Sequence, residues 1–242
     1  MDYIQSFKRF ETKYLLTEAQ AQAFVQETGK MLVPDAYGSY SICNIYLDTE
    51  DFYFIEHSLD KPVYKEKLRI RSYGMAAPED RVFLEIKKKS RGIVYKRRIT
   101  LPLWEAEEYL KKGTRPLSIQ GFQAGQIFAE IDYLVQHYMP TPKVYLAYDR
   151  EACFVEGYPQ LRITFDRNVR SRWEKLTLAS DEETLPLKTG VDNYRLMEIK
   201  SDGVLPLELT AILSRLKLYP VSFSKYGNVY LEKRSREAVE EK

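Results

Sequence analysis

Residues 67–71 read Lys-Leu-Arg-Ile-Arg, an alternation that an extended strand sorts into one cationic and one aliphatic face. The same period of two recurs along the chain. Residues 7–16 form an alternating strand with Arg9, Glu11 and Lys13 on one parity, and 41–48 form a strand rich in Tyr and Ile. Residues 82–101 predict a hairpin turning at Ser90-Arg91-Gly92. Strands are also expected over 144–155 (Tyr148, Arg150 and Ala152 on one parity), 161–166 (Arg162, Thr164, Asp166) and 195–201 (Glu198, Lys200). Helical signals lie between them. Thr17 and Gln20 offer a capping box for a helix over about 18–30. A helix over about 104–112 follows Pro102, and one over about 122–138 carries the stripe Phe122, Ile127, Ile131, Leu134, Val135, Tyr138 before Pro140 and Pro142 break it. Pro206 sits in the first turn of a helix reaching about Leu218. The segment 222–228 closes the ordered core, and the charged 232–242 stretch reads as a frayed helical tail.

No Gly/Ser linker, low-complexity segment or fixed-period repeat divides the 242 residues, so one domain over 1–231 is expected, followed by that tail. Hydrophobic residues make up 44% and charged residues 30%, which excludes a disordered tail. No apolar run approaches the ~20 residues of a membrane span, and the first residues lack a signal-peptide layout. Together these predict a cytoplasmic protein with no membrane span of its own. Cys43 and Cys153 lie in strand-like stretches and read as buried free thiols. His57 and His137 are too far apart in sequence to suggest a His-built metal site or His-based catalysis. The 19 Tyr and 11 Phe fit strand packing better than base stacking.

The net charge of +2 argues against a nucleic-acid coat protein. That average hides an asymmetry: residues 61–98 hold 13 Lys/Arg against four acids, and the remainder is net acidic. A solvated strand face is the ordinary reading of any one such strand. Here the opposite parities (Thr12 and Tyr14, or Lys88) do not read as uniformly oily. A closed barrel with a cationic interior accounts for both faces, and such an interior calls for a strongly anionic guest such as a row of phosphates. Lys88, Lys89 and Arg91 flank the hairpin turn and read as surface.

Eight pieces in order resemble the VTC domain, the catalytic domain of vacuolar transporter chaperone polyphosphate polymerases. They are Arg9-Phe10-Glu11-Thr12-Lys13-Tyr14, Lys67-Leu68-Arg69-Ile70-Arg71, 82–89, Lys96-Arg97-Arg98, Tyr148-Asp149-Arg150, Arg162-Ile163-Thr164-Phe165-Asp166, Met197-Glu198-Ile199-Lys200 and Ser222-Phe223-Ser224-Lys225-Tyr226. The resemblance runs from about residue 6 to 230. It places the chain among the triphosphate tunnel metalloenzymes, with the CYTH enzymes and fungal RNA triphosphatases.

The resemblance implies an α+β fold: an eight-stranded antiparallel barrel, the triphosphate tunnel, with peripheral helices. It implies that Arg69, Arg71, Lys87, Arg150, Arg162 and Lys200 act on the transferring phosphates. Lys13, Lys67, Lys96, Arg98, Ser224 and Lys225 would hold substrate. Glu198 would hold Mn²⁺ or Mg²⁺. From their own positions, Glu11 on the first strand reads equally as a second metal carboxylate or as a charge balance for Lys13, and Glu85 and Asp166 read as charge partners for the cations ahead of metal contact. Arg9 stands where CYTH relatives carry the first Glu of Glu-x-Glu-x-Lys, which favours the polymerase-like branch. The activity implied is transfer of the terminal phosphate of ATP, or another nucleoside triphosphate, onto polyphosphate. Such transfer needs positioning and charge neutralisation, with no protein nucleophile. With water as acceptor the same site is a tripolyphosphatase or nucleoside triphosphatase, and without turnover it is a polyphosphate-binding module. No nucleic-acid partner is expected. The SPX domain and membrane segments of the eukaryotic polymerases are lacking, which leaves room for a separate membrane partner.

Overall fold

The computed structural model describes residues 10–91 and 93–240. Its strands are β1 (Phe10–Leu16), β2 (Leu32–Asp48), β3 (Tyr64–Tyr73), β4 (Arg81–Ser90), β5 (Ile93–Pro102), β6 (Thr141–Val155), β7 (Tyr158–Arg172), β8 (Leu185–Pro186) and β9 (Arg195–Ser201). Its helices are α1 (Glu18–Thr28), α2 (Tyr53–Leu59), α3 (Leu103–Lys112), α4 (Phe122–Tyr138), α5 (Leu207–Arg215) and α6 (Lys225–Glu240). The strands form an antiparallel sheet in the order β1-β9-β7-β6-β2-β3-β4-β5, with β8 beside β7. An α+β architecture therefore holds. Among the described residues eight strands lie on one antiparallel path whose ends are β1 and β5, with the two-residue β8 as a ninth strand off that path. No pairing between β1 and β5 is seen among them, so the sheet is antiparallel as expected, but its expected closure into a barrel is not seen. Arg9 lies outside the described residues.

Local chemistry sets the elements much as the sequence anticipates. Thr17 Oγ1 accepts from the Gln20 amide at 3.2 Å, and Gln20 Oε1 accepts from the Thr17 amide at 3.0 Å, so the capping box opens α1. Pro206 is the N-cap of α5 rather than a first-turn residue. Phe122 begins α4 but is exposed, so the buried stripe of that helix is Phe128, Ile131 and Leu134. Helix α2 was not anticipated. Asp48 builds it, accepting from the amides of Phe54 at 2.8 Å and Ile55 at 3.0 Å.

The chain forms two compact units. The first, residues 10–40, 148–169 and 187–225, carries β1, β9, the first part of β7 and the end of β6. Tyr14, Leu16, Ile163, Phe165, Met197 and Ile199 pack there against Phe24 of α1 and Leu209, Ile212 and Leu213 of α5. The second, residues 41–147, 170–186 and 226–240, carries β3, β4 and β5 with parts of β2 and β6. Its core joins Ile45, Leu68, Ile70, Leu84, Ile86 and Ile99 to Tyr109 of α3 and Ile131 of α4. In each unit the parity that the sequence left ambiguous is the core. The helices supply the oil that the strands alone do not display.

The boundary expected at 231/232 falls inside α6, which buries Tyr226, Val229 and Tyr230 and continues to Glu240. Its charged second half is held by i,i+4 pairs, Lys233 with Glu237 and Arg236 with Glu232, and by Arg234 on Glu56 at 3.0 Å. Both cysteines are free.

Candidate functional site

In the first unit, pairing register gathers the charges onto one face. Glu11 lies opposite Lys200, and Lys13 opposite Glu198, across β1 and β9. Arg162 lies opposite Lys200, and Thr164 opposite Glu198, across β7 and β9. Directly opposed residues share a face, so the face carries Glu11, Lys13, Glu198, Lys200, Arg162, Thr164 and Asp166. It is not a solvent face: Glu198, Thr164 and Asp166 are all buried.

Two ion-pair groups organise that face. Asp166 receives Arg150 through Nε at 2.6 Å and Nη2 at 2.7 Å, and Lys225 Nζ at 2.5 Å. Both cations also lie over the Tyr148 ring, at 5.2 and 4.3 Å from its centroid. Burial pushes the Asp166 carboxyl up, but Lys225 and Arg150 outweigh burial and hold it below its ordinary value. Burial disfavours the Lys225 ammonium, yet Asp166 and Tyr148 leave its pKa raised. Glu198 receives Lys200 at 2.9 Å and Lys13 at 3.8 Å, and Lys13 Nζ also donates to the Phe223 carbonyl at 2.8 Å. Arg162 donates to Asp35 at 3.1 Å. Ser224 immediately precedes α6, and Lys225 is its first residue.

The second unit repeats the plan around Glu85. Asn44 and Tyr46 of β2 lie opposite Arg71 and Arg69. Lys67, Arg69 and Arg71 of β3 lie opposite Lys87, Glu85 and Phe83 of β4. Glu85 and Lys87 in turn lie opposite Arg98 and Lys96 of β5. The buried Glu85 carboxylate meets Arg69 at 2.7 Å, Lys96 at 2.6 Å and Arg71 at 3.7 Å. Tyr46 accepts from Arg69 at 3.0 Å, and Asn44 Oδ1 from Arg71 at 2.9 Å. Arg98 lies over the Phe83 ring at 4.4 Å, and Lys67 over Tyr226 at 5.8 Å. Burial raises the Glu85 carboxyl, but Arg69, Arg71 and Lys96 together drive it well below the carboxylate range. Lys96, although 39% exposed, is pushed down to about 8. Burial lowers it, and the nearby arginines add repulsion that Glu85, shared three ways, does not cancel.

A pH dependence follows. A depressed carboxyl contributes stability that is complete above its unfolded value and is lost as pH falls toward its folded value. The stability gap between wild type and Glu85→Gln, measured by urea unfolding, should widen from pH 8 to 5, because in the variant Lys96 loses the carboxylate that favours its charged form. It should shrink once pH drops below about 4.5, the ordinary value. A gap independent of pH down to 3 would mean Glu85 is not held ionised by its three cations.

The structure thus brings together Glu11, Lys13, Arg150, Arg162, Glu198, Lys200 and Lys225 in the first unit, with Ser224 at the start of α6. It brings together Lys67, Arg69, Arg71, Lys87, Lys96 and Arg98 in the second. Lys88, read as surface, instead pairs with Glu130 of α4 at 2.6 Å. Sequence reading missed Asp35, Asn44, Tyr46 and the Tyr148 platform. Asn44, Tyr46 and Asp48 share one parity of β2, a period-two polar row that could have signalled a second lined face.

Among the described residues no group of three or more His, Cys, Asp and Glu is placed to hold a metal by itself. The donor set nonetheless fits a hard divalent ion. Mg²⁺ and ions like it keep water and take one or two carboxylates together with substrate phosphates, and Glu198 is a buried carboxylate set between Lys200 and Lys13. Among the described residues no helix is long and apolar enough to cross a membrane.

A family model, the VTC domain, matches residues 8–232. No curated protein matches the chain. Among solved structures, a protein described as a candidate adenylate cyclase from Bacillus halodurans superposes with a TM-score of 0.54 at 16% identity, over 90% of this chain and 95% of that one. A similarly described protein from Vibrio parahaemolyticus gives 0.48 at 11% identity, over 93% and 99%. An adenylyl cyclase candidate from Hippeastrum, reported to have a dominant triphosphatase activity, gives 0.48 at 14%, over 89% and 92%. The Bacillus likeness is one of fold.

Proposed function

The chain belongs to the VTC domain family, and from that premise we propose that it is a metal-dependent phosphoryl transferase of the triphosphate-tunnel type. It moves the terminal phosphate of ATP, or another nucleoside triphosphate, onto polyphosphate. We take residues 1–231 as one catalytic domain and the cytoplasm as its setting. One observation carries the reading: the buried carboxylates Glu85, Asp166 and Glu198 are each met by two or more cations. Glu85 meets Arg69, Arg71 and Lys96, and Asp166 meets Arg150 and Lys225. Buried charge left in excess is costly unless an anion completes it. A chain of phosphates supplies several negative charges at close spacing, and arginine forks match its oxygens.

In the first unit Arg150, Lys200, Lys225 and Arg162 bind and orient phosphate oxygens, with Lys13 beside Glu198 and Ser224 at the α6 start. In the second, Arg69, Arg71, Lys87 and Lys96 do the same, with Lys67 and Arg98 at the margins. Glu198, with Glu11 on the same face, would hold Mn²⁺ or Mg²⁺, which when bound neutralises charge on the transferring phosphate. The terminal oxygen of the acceptor phosphate forms the new bond to phosphorus. The bond to the bridging oxygen breaks, and the nucleoside diphosphate leaves with that electron pair. These side chains act by position and charge.

Purified protein incubated with ATP and Mn²⁺ tests this on a gel that resolves polyphosphate from orthophosphate. Polymer supports the proposal. Orthophosphate alone would indicate a triphosphatase on the same fold, and salt-sensitive binding without turnover a binding module. The grip has its own test. Arg69→Ala and Arg71→Ala each remove a charge-assisted contact worth about 1.5–3 kcal/mol, so tripolyphosphate affinity should drop roughly ten- to a hundred-fold. The fold should persist, because two cations still hold Glu85. Unchanged affinity in both variants would return β3 to a purely structural role.

A further inference from the structure

Thr164 sits in the middle of the first unit's charged face and has no place in the scheme above. It is 1% exposed, and its hydroxyl is buried with no hydrogen-bond partner. Its neighbours do not serve it. Glu198, directly opposite on β9, receives Lys200 and Lys13. Asp166, two residues on, has both oxygens taken by Arg150 and Lys225. Two residues earlier, Arg162 Nε is likewise buried without a partner, while its Nη2 goes to Asp35. Alternation along β7 puts both groups on the same face, and the other face, with Ile163 and Phe165, is core.

A buried hydroxyl with no partner costs stability, and valine would fill the same space without that cost. Two adjacent orphaned groups on a cationic face, a hydroxyl and a guanidinium N–H, have donors in common. We propose that Thr164 is a substrate-positioning residue whose hydroxyl donates to a non-bridging phosphate oxygen, with Arg162 Nε donating to the same phosphate chain. The inference rests on the reading of this face as a phosphate grip, and deepens it by assigning one neutral donor among the cations. A neutral donor fixes the register of the chain, because a hydroxyl fits one oxygen where a lysine serves any nearby charge.

The test uses the full chain with tripolyphosphate as probe and a chelator present, so that no metal contributes. Thr164→Val should melt at or above the wild-type temperature without ligand, since an unmet hydroxyl is gone. Its affinity in calorimetry should be about ten-fold weaker. Thr164→Ser, which restores the hydroxyl, should bind within about two-fold of wild type, and Thr164→Ala should match the valine variant. The Ser and Ala pair keeps the comparison decisive if valine disturbs packing. Valine and alanine variants that bind as tightly as wild type overturn the role of Thr164 and leave the wider grip standing. A wild type that binds no tripolyphosphate overturns both.

Discussion

Glu198→Gln should bind tripolyphosphate at least as tightly as the wild type while losing on the order of a hundred-fold or more in turnover, the several kcal/mol that a metal contributes to charge stabilisation. The substitution keeps the shape and removes one charge. In the wild type that charge is met by Lys200 at 2.9 Å and Lys13 at 3.8 Å. Without it the two lysines remain, and an incoming phosphate chain meets both cations with one carboxylate fewer beside them. Repulsion between carboxylate and phosphate is also gone, so affinity should hold or rise. Turnover answers to a different requirement: in the proposed reading the Glu198 carboxylate would hold the divalent ion that neutralises the transferring phosphate. The experiment is paired: calorimetry with tripolyphosphate, then polymer formation across a Mn²⁺ titration. A variant that turns over normally at every Mn²⁺ concentration would remove Glu198 from the metal site and make Glu11, on the same face of β1, the next carboxylate to replace.

Much of this site is legible in the sequence because β-strands report their faces directly. Lys-x-Arg-x-Arg at 67–71 and Glu-x-Lys at 198–200 each commit their charges to one side of a sheet, and register then does the rest. The meaning of the other side is less legible. Thr12, Tyr14 and Lys88 looked too polar for a core, yet the residues of that parity are covered by helices distant in sequence: α1 and α5 in one unit, α3 and α4 in the other. Tertiary cover of this kind leaves no local signal. The same holds for α2, whose start is fixed by the buried Asp48 and not by a capping pattern within the helix. The charged stretch after 231 reads as a frayed helical tail, and it is helical: its i,i+4 pairs extend a helix already anchored by Tyr226 and Tyr230, an anchorage that composition does not display. The orphaned hydroxyl of Thr164 has no signature in sequence at all, because an unmet hydrogen bond exists only once the neighbours are placed.

Asp166→Asn should produce the largest loss of stability of any single substitution on these faces, and tripolyphosphate should repair much of it. Asp166 is fully buried and holds Arg150 through two bonds and Lys225 through one. Asparagine fills the same volume but carries no charge, so two cations that both lie near the Tyr148 ring remain in a poorly hydrated setting and repel each other. Breaking a buried ion pair from one side costs about 3–5 kcal/mol. At about 2–4 °C per kcal/mol for a chain of this size, the melting temperature should fall by roughly 10 °C. A phosphate chain that docks on Arg150 and Lys225 supplies the missing negative charge. Saturating tripolyphosphate should therefore raise the melting temperature of the variant by more than it raises that of the wild type, in which Asp166 already neutralises one of the two cations. Melting curves of both proteins with and without tripolyphosphate, at low and high salt, measure the difference. If the variant is destabilised but gains no more from tripolyphosphate than the wild type does, Arg150 and Lys225 are an internal ion pair and not part of the phosphate grip.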